Sequence, residues 1–82
     1  MTLELFQDVA LTQNFPQYQL KSGDIATLLD FVPHPEGKEE GCILEVFNAL
    51  GESIAVVTVP ISGITALKAD DILAVRSSVN TV

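Results

Sequence analysis

The side chains that could take part in catalysis or metal binding are few. His34 is the only histidine in the chain, and it lies between Pro33 and Pro35. A catalytic histidine needs an orienting partner and a nucleophile or water within hydrogen-bond reach, and the sequence places none beside it. We interpret His34 as a loop residue whose backbone is held extended by its proline neighbours. The sequence therefore predicts no catalytic residue.

Cys42 is the only cysteine. It alternates with Leu44 and Val46 in an apolar segment, and free cysteine is among the most buried residue types. A reactive thiolate would need a nearby cation or helix N-terminus, whereas Glu39 and Glu40 carry the opposite charge. We therefore predict that Cys42 lies in the core. One cysteine also excludes an internal disulfide and a zinc site of several cysteines, and we predict no cofactor.

Carboxylates are the other potential ligands, and they cluster in the middle of the chain. A calcium loop needs oxygen ligands at fixed, closely spaced positions around a glycine turn. These glutamates lack that spacing, so we predict no metal site. A solvated acidic face that steers a basic partner is the favoured interpretation. The candidate acidic patch comprises Glu36, Glu39, Glu40 and Glu45.

The overall charge restricts the class of partner. The chain has 82 residues and a formal charge of −7, from 11 acidic and 4 basic residues. Phosphate backbones are bound by clustered lysine and arginine, whereas the basic residues here are scattered singly along the chain. We therefore expect no nucleic-acid partner and favour a neutral or basic protein. The basic residues are Lys21, Lys38, Lys68 and Arg76.

The apolar segments also bear on location. No basic residue precedes Lys21, so the start of the chain lacks the positively charged region of a secretory signal. The most apolar run, residues 54–61, is interrupted by Thr58 and Pro60 and is far shorter than the roughly 20 residues that span a bilayer. We therefore expect no membrane partner and a cytoplasmic location.

Short strands are the elements that would position these residues. Apolar and β-branched segments are separated by glycine, proline and asparagine, and no apolar i, i+3, i+4, i+7 pattern persists through a helix of ordinary length. A small barrel is favoured over a sandwich in so short a chain, because closure removes exposed edges. The predicted strands are residues 7–12, 25–32, 42–48, 53–59 and 64–67.

The last part of the chain leaves the strand count open between five and six. A single helical turn is predicted at residues 60–63, and residues 71–76 fit either a sixth strand or a short helix. Residues 77–82 are expected to form a frayed tail. The chain as a whole, residues 1–82, is predicted to be one domain.

Two turns should need glycine in a left-handed conformation. One contains Gly23 and Asp24, and the other contains Gly51 in a hairpin turn. Between them, the strand at residues 25–32 is apolar on both sides. Its predicted faces are Ile25, Leu29 and Phe31 on one side, and Leu28 and Val32 on the other.

The two strands of the central hairpin also carry apolar residues on both faces. One explanation is that a terminal segment covers the second face. This segment is either the N-terminal one, with Leu3, Leu5 and Phe6, or the C-terminal residues 72–75. The other explanation is an interface, formed with a second copy of the chain or with another protein. The candidate interface residues are Ile43, Phe47, Val57 and Val59.

Three segments resemble a known family. They are Asp8-Val9-Ala10-Leu11-Thr12, the segment from Tyr18 to Leu28 that contains Leu20-Lys21-Ser22-Gly23-Asp24, and Ile72-Leu73-Ala74-Val75-Arg76. They are similar to small bacterial proteins, frequent in cyanobacteria, that are designated domain of unknown function 4926. The resemblance covers roughly residues 5–77 and implies an SH3-like barrel, mainly all-β, but it implies no activity.

The turn at Gly23 also resembles the entry turn of SH3-like modules associated with the ribosome and with transcription. Those modules usually carry a second glycine where this chain has Ala26, and they are generally basic. The function expected from the sequence is therefore that of a non-enzymatic, acidic protein-interaction module, with self-association as one of the open alternatives. The alternatives are an antitoxin-like or regulatory partner of a neighbouring basic protein, a nucleic-acid-binding module, and a small enzyme that uses His34 or the acidic loop.

Overall fold

The β-branched and alternating apolar segments form five strands in a computed structural model that describes residues 3–77. Two short 3-10 helices, Pro16–Tyr18 and Ile61–Gly63, lie between strands. The second of them is the helical turn expected near residues 60–63. The strands are β1 (Asp8–Leu11), β2 (Ile25–Val32), β3 (Gly41–Phe47), β4 (Ser53–Pro60) and β5 (Ile64–Ala66).

The strands form one antiparallel sheet in the order β4-β3-β2-β1-β5. The predicted mainly-β fold of short antiparallel strands with a short helical turn is therefore confirmed. The sheet is open, because β4 and β5 occupy its two edges and no ladder joins them in the part of the chain that is described. The family implied by the resemblance remains a prediction.

Residues 71–77 are neither a sixth strand nor a helix, which corrects both alternatives left open by the sequence. Two contacts hold this segment in an irregular path. Asp71 closes a turn by accepting a hydrogen bond from the Lys68 N–H at 2.7 Å, and Arg76 bonds to Asp24. Apart from Ser77, the tail predicted at residues 77–82 lies outside the described residues.

One face of the sheet forms the core, because alternate residues of every strand point the same way. Cys42, Leu44 and Val46 are all buried, which confirms the alternation predicted for β3. Full burial of a leucine such as Leu28 or Leu44 is worth roughly 1.5–3 kcal/mol. The remaining buried apolar residues are Val9, Leu11, Phe15, Leu20, Ala26, Val57, Val59, Ile64 and Ala66.

A bulge in β2 changes which of its side chains face the core. Leu28 pairs with Leu44, but Asp30 pairs with Ile43, so Leu29 is the extra residue. The bulge reverses the alternation beyond it, and Phe31 therefore packs against the core. The prediction that Phe31 shares a face with Ile25 is wrong for this reason. Val32, in turn, points to the outer face.

The long connection between β1 and β2 closes one end of the core. Phe15 and Leu20 pair through an isolated bridge, and both are buried. A Cβ atom on Gly63 would lie 2.7 Å from Cζ of Phe15. The absence of a side chain at Gly63 therefore makes room for the Phe15 ring.

Candidate functional site

The outer face of the β3–β4 hairpin carries an exposed apolar patch, formed by Phe47, Ile54 and Val56. Their side chains are 42%, 52% and 60% exposed, respectively. Val56 pairs with Glu45 across the two strands. A register shift next to Phe47 leaves Ile54 as the extra residue of the hairpin. We refer to these three residues as the hairpin patch.

Two of the four predicted interface residues, Val57 and Val59, are buried rather than exposed. Val57 and Val59 are 5% and 2% exposed and belong to the core, so they cannot line an exposed interface. The reason is register: Val57 pairs with the buried Leu44. Phe47 lies on the outer face as predicted, and Ile43 is half-buried there. Their role in an interface remains a prediction.

A tight turn holds the hairpin in place. Asn48 Oδ1 accepts hydrogen bonds from the Leu50 and Glu52 N–H groups at 3.0 and 2.9 Å, and Asn48 Nδ2 donates to Glu52 Oε1 at 2.8 Å. Gly51 has φ +82°, which confirms its predicted left-handed conformation. Hydrogen bonds from the Asn48 side chain therefore brace the turn that joins the two strands carrying the hairpin patch.

The predicted acidic patch is divided between a loop and the sheet. Glu36, Glu39 and Glu40 lie exposed in the β2–β3 loop, residues 33–40. Glu45 lies further along β3 on the outer face, where its Oε2 accepts a hydrogen bond from Ser53 Oγ at 2.7 Å. Three of the four predicted residues therefore lie in one loop, and the fourth lies on the sheet.

The three loop carboxylates differ in their contacts. Glu39 Oε1 accepts the Ser62 N–H at 2.6 Å, and hydrogen bonding from the Ser62 side chain and backbone lowers the pKa of Glu39. Glu36 lies 3.9 Å from the Lys38 ammonium. The Glu40 carbonyl accepts the Ile61 N–H at 2.9 Å. The loop is thus tethered to the 3-10 helix that follows β4.

A groove of about 310 Å³ lies between this loop and the ends of β2 and β4. The register places Val32, Gly41 and Pro60 in one row across β2, β3 and β4, and all three line the groove together with Thr58. Gly41 has no side chain, so it forms a floor between the flanking side chains. We refer to this cavity as the Gly41 groove.

The remaining wall of the Gly41 groove comes from the loop. Pro33, His34 and Pro35 line it, and so does Glu39. His34 is exposed, and its Nδ1 accepts the Glu36 N–H at 3.1 Å. The loop position predicted for His34 is confirmed. Nothing in the sequence indicated that His34 lines a groove.

The chemistry of the other candidate residues is limited. Cys42 is fully buried, and burial, with Glu40 and Glu39 nearby, raises the pKa of its thiol. Residues 3–77 contain no group of three or more histidine, cysteine or acidic side chains placed to hold a metal ion. In the same residues no helix has the length and hydropathy to cross a bilayer.

The predicted structural turn at Gly23 and Asp24 is confirmed and has an additional partner. Gly23 has φ +92°. Asp24 Oδ2 accepts the Lys21 N–H at 2.8 Å, and Asp24 Oδ1 accepts the Arg76 Nε–H at 2.7 Å. Sequence reasoning missed Arg76, because nothing in the spacing of residues 24 and 76 indicates contact.

Comparison with models of protein families, with curated proteins and with solved structures finds no match to this chain.

Proposed function

We propose that this chain is a non-enzymatic protein-interaction module of the cytoplasm that buries the outer face of its β3–β4 hairpin against another protein chain. The observation that carries this proposal is the hairpin patch. Phe47, Ile54 and Val56 are exposed on the outer face of one hairpin, and clustered exposed apolar side chains are typical of interaction sites.

The exposure of the termini does not support the explanation that a terminal segment covers the second face of the hairpin. Phe6 is 74% exposed, and Ile72 and Val75 are 92% and 96% exposed. Side chains that covered the hairpin patch would themselves be buried by the contact. The described parts of both terminal segments therefore leave the patch accessible to a partner.

The charge of the chain supports a basic partner over a nucleic acid. The formal charge is −7, and Arg76, one of only four cations, is neutralised by Asp24. A regulatory role, in which this chain occupies the functional surface of a basic protein, fits the same charge. A second copy of this chain is the competing occupant of the patch.

The test compares the native chain with Phe47→Asp. Size-exclusion chromatography with light scattering over a wide concentration range measures self-association, and affinity capture from the native host measures binding to other proteins. We expect at least one association to be lost in Phe47→Asp with the circular dichroism spectrum unchanged. Thr65→Asp is the matched control, because Thr65 is an exposed strand residue on β5, remote from the hairpin in the strand order. An association that survives Phe47→Asp unchanged would contradict the proposal.

A further inference from the structure

We propose that the Gly41 groove receives one apolar side chain of an extended, basic segment of the partner protein. This inference rests on the proposed function and adds the chemistry of the partner. It depends on the shape of the groove, its position beside the hairpin patch, and the charge around it.

The shape of the groove is suited to an anchor side chain. Its volume of about 310 Å³ is at the lower end of the range for ligand pockets, roughly 300–1,000 Å³. Val32, Pro33, Pro35 and Pro60 supply apolar walls. Proline side chains lose almost no conformational entropy on burial, so covering these walls with a partner side chain carries little entropic cost from the walls themselves.

The groove and the hairpin patch belong to one continuous face. Along β4, Val56, Thr58 and Pro60 alternate with the buried Val57 and Val59, so all three side chains point outward. Val56 belongs to the hairpin patch, and Thr58 and Pro60 line the groove. An extended segment lying along the outer face could therefore contact both sites.

The electrostatics of this face select a cationic partner. Between residues 25 and 60 the chain carries six carboxylates and a single cation, Lys38, and Lys38 is paired with Glu36. Glu39 lines the groove itself and is exposed, so it adds a carboxylate to the groove. A second copy would bring the same excess of negative charge to this site, so the charge favours a basic segment from a different protein.

Gly41 provides the decisive variant. A Cβ atom at this position would meet Cγ2 of Thr58 at 3.5 Å and the Val32 carbonyl oxygen at 3.6 Å, which are ordinary contacts. Gly41→Ala and Gly41→Val should therefore fold while raising the floor of the groove. Valine also suits the middle of a strand. Thr65→Val, on β5, is the matched control for adding an apolar side chain to an exposed strand.

The probes are three fluorescently labelled seven-residue peptides, whose binding is measured by anisotropy. The first has a central leucine flanked by alternating lysine and threonine. The second replaces the leucine with serine, and the third replaces the lysines with glutamates. We expect the first peptide to bind about tenfold or more tightly than the second and the third not to bind. Binding of the first should weaken as salt rises from about 0.01 M to about 0.15 M.

The variants separate this inference from the proposed function. Gly41→Val should remove the preference for leucine over serine, Gly41→Ala should reduce it, and Thr65→Val should keep it. Equal binding of the leucine and serine peptides, or a preference that Gly41→Val leaves intact, would overturn the groove proposal. If Phe47→Asp still abolished association, the proposed function would survive that result. If the native chain self-associates and Gly41→Val abolishes that self-association, the groove is occupied by a second copy of the chain. That result would also overturn the inference.

Discussion

Arg76 donates a hydrogen bond from Nε to Oδ1 of Asp24 at 2.7 Å, and its Nη2 donates to Oδ2 of the same carboxylate. Nη2 also donates to the carbonyl of Gln19 at 3.2 Å. Asp24 in turn accepts the Lys21 N–H within its own turn. This ion pair attaches the irregular segment after β5 to the turn before β2.

The Asp24–Arg76 ion pair should make folding stability depend on pH in the acid range. Burial opposes the charge on Asp24, but the hydrogen bond from Arg76, the Lys21 N–H and both positive charges outweigh it, so the pKa of Asp24 is lowered. A folded-state pKa below the unfolded value of about 3.9 stabilises the fold fully above about pH 5. That stability is lost as the pH falls through the folded pKa. Urea unfolding at pH 7 and pH 3 should therefore show a smaller loss of stability in Arg76→Gln than in the native chain. An identical loss in the two proteins would contradict this expectation.

Gly63 should tolerate no side chain while Phe15 occupies its present position. The Cβ atom of Gly63→Ala would lie 2.7 Å from Cζ of Phe15, and overpacking of this kind costs about 1–3 kcal/mol. Denaturant unfolding measures this loss directly. Gly41→Ala, whose new Cβ would meet its nearest atom at 3.5 Å, is the matched control and should change stability little. Phe15→Leu in the Gly63→Ala background should recover part of the loss, because the two sites share one contact.

The strand pattern was readable from the sequence where it depends on local alternation. Residues 25–32 were predicted as a strand and form β2 with the same bounds. Burial of Cys42 and Leu44 followed from the period of two. In these segments apolar periodicity, β-branched residues and flanking glycine or proline all indicate the same element.

Features that depend on pairing between strands could not be predicted from the sequence. The bulge at Leu29 arises where β2 meets β3, so residues 25–32 alone could not show that Phe31 turns inward. Val57 was assigned to the wrong face because β4 is apolar on both sides, and only its pairing with Leu44 decides the matter. The Gly41 groove exists because Gly41 in β3 has no side chain, whereas its neighbours in β2 and β4 do. Such an arrangement of three strands cannot be read from any one segment.

Cys42 should be unreactive in the folded protein. Its side chain is fully buried, and burial, with Glu40 and Glu39 nearby, raises the pKa of the thiol. The thiolate is the reactive form, so both its population and its accessibility are low. A thiol-specific chromogenic reagent at about pH 8 should react with Cys42 only as fast as the fold opens, and at once in denaturant. Rapid reaction of the native chain, at the rate of a free thiol in solution, would contradict the burial.

Val56 and Val57 are neighbours in β4 that should respond differently to the same substitution. Val56 is 60% exposed in the hairpin patch, whereas Val57 is 5% exposed in the core. Valine and threonine have nearly the same shape, so Val→Thr changes polarity rather than volume. In Val57→Thr the buried hydroxyl should cost about 1–3 kcal/mol if it finds no hydrogen-bond partner. Val56→Thr should change stability by no more than about 0.5 kcal/mol while weakening association through the patch. Denaturant unfolding and light scattering of the two variants test both halves of the expectation, and a greater loss of stability in Val56→Thr than in Val57→Thr would contradict it.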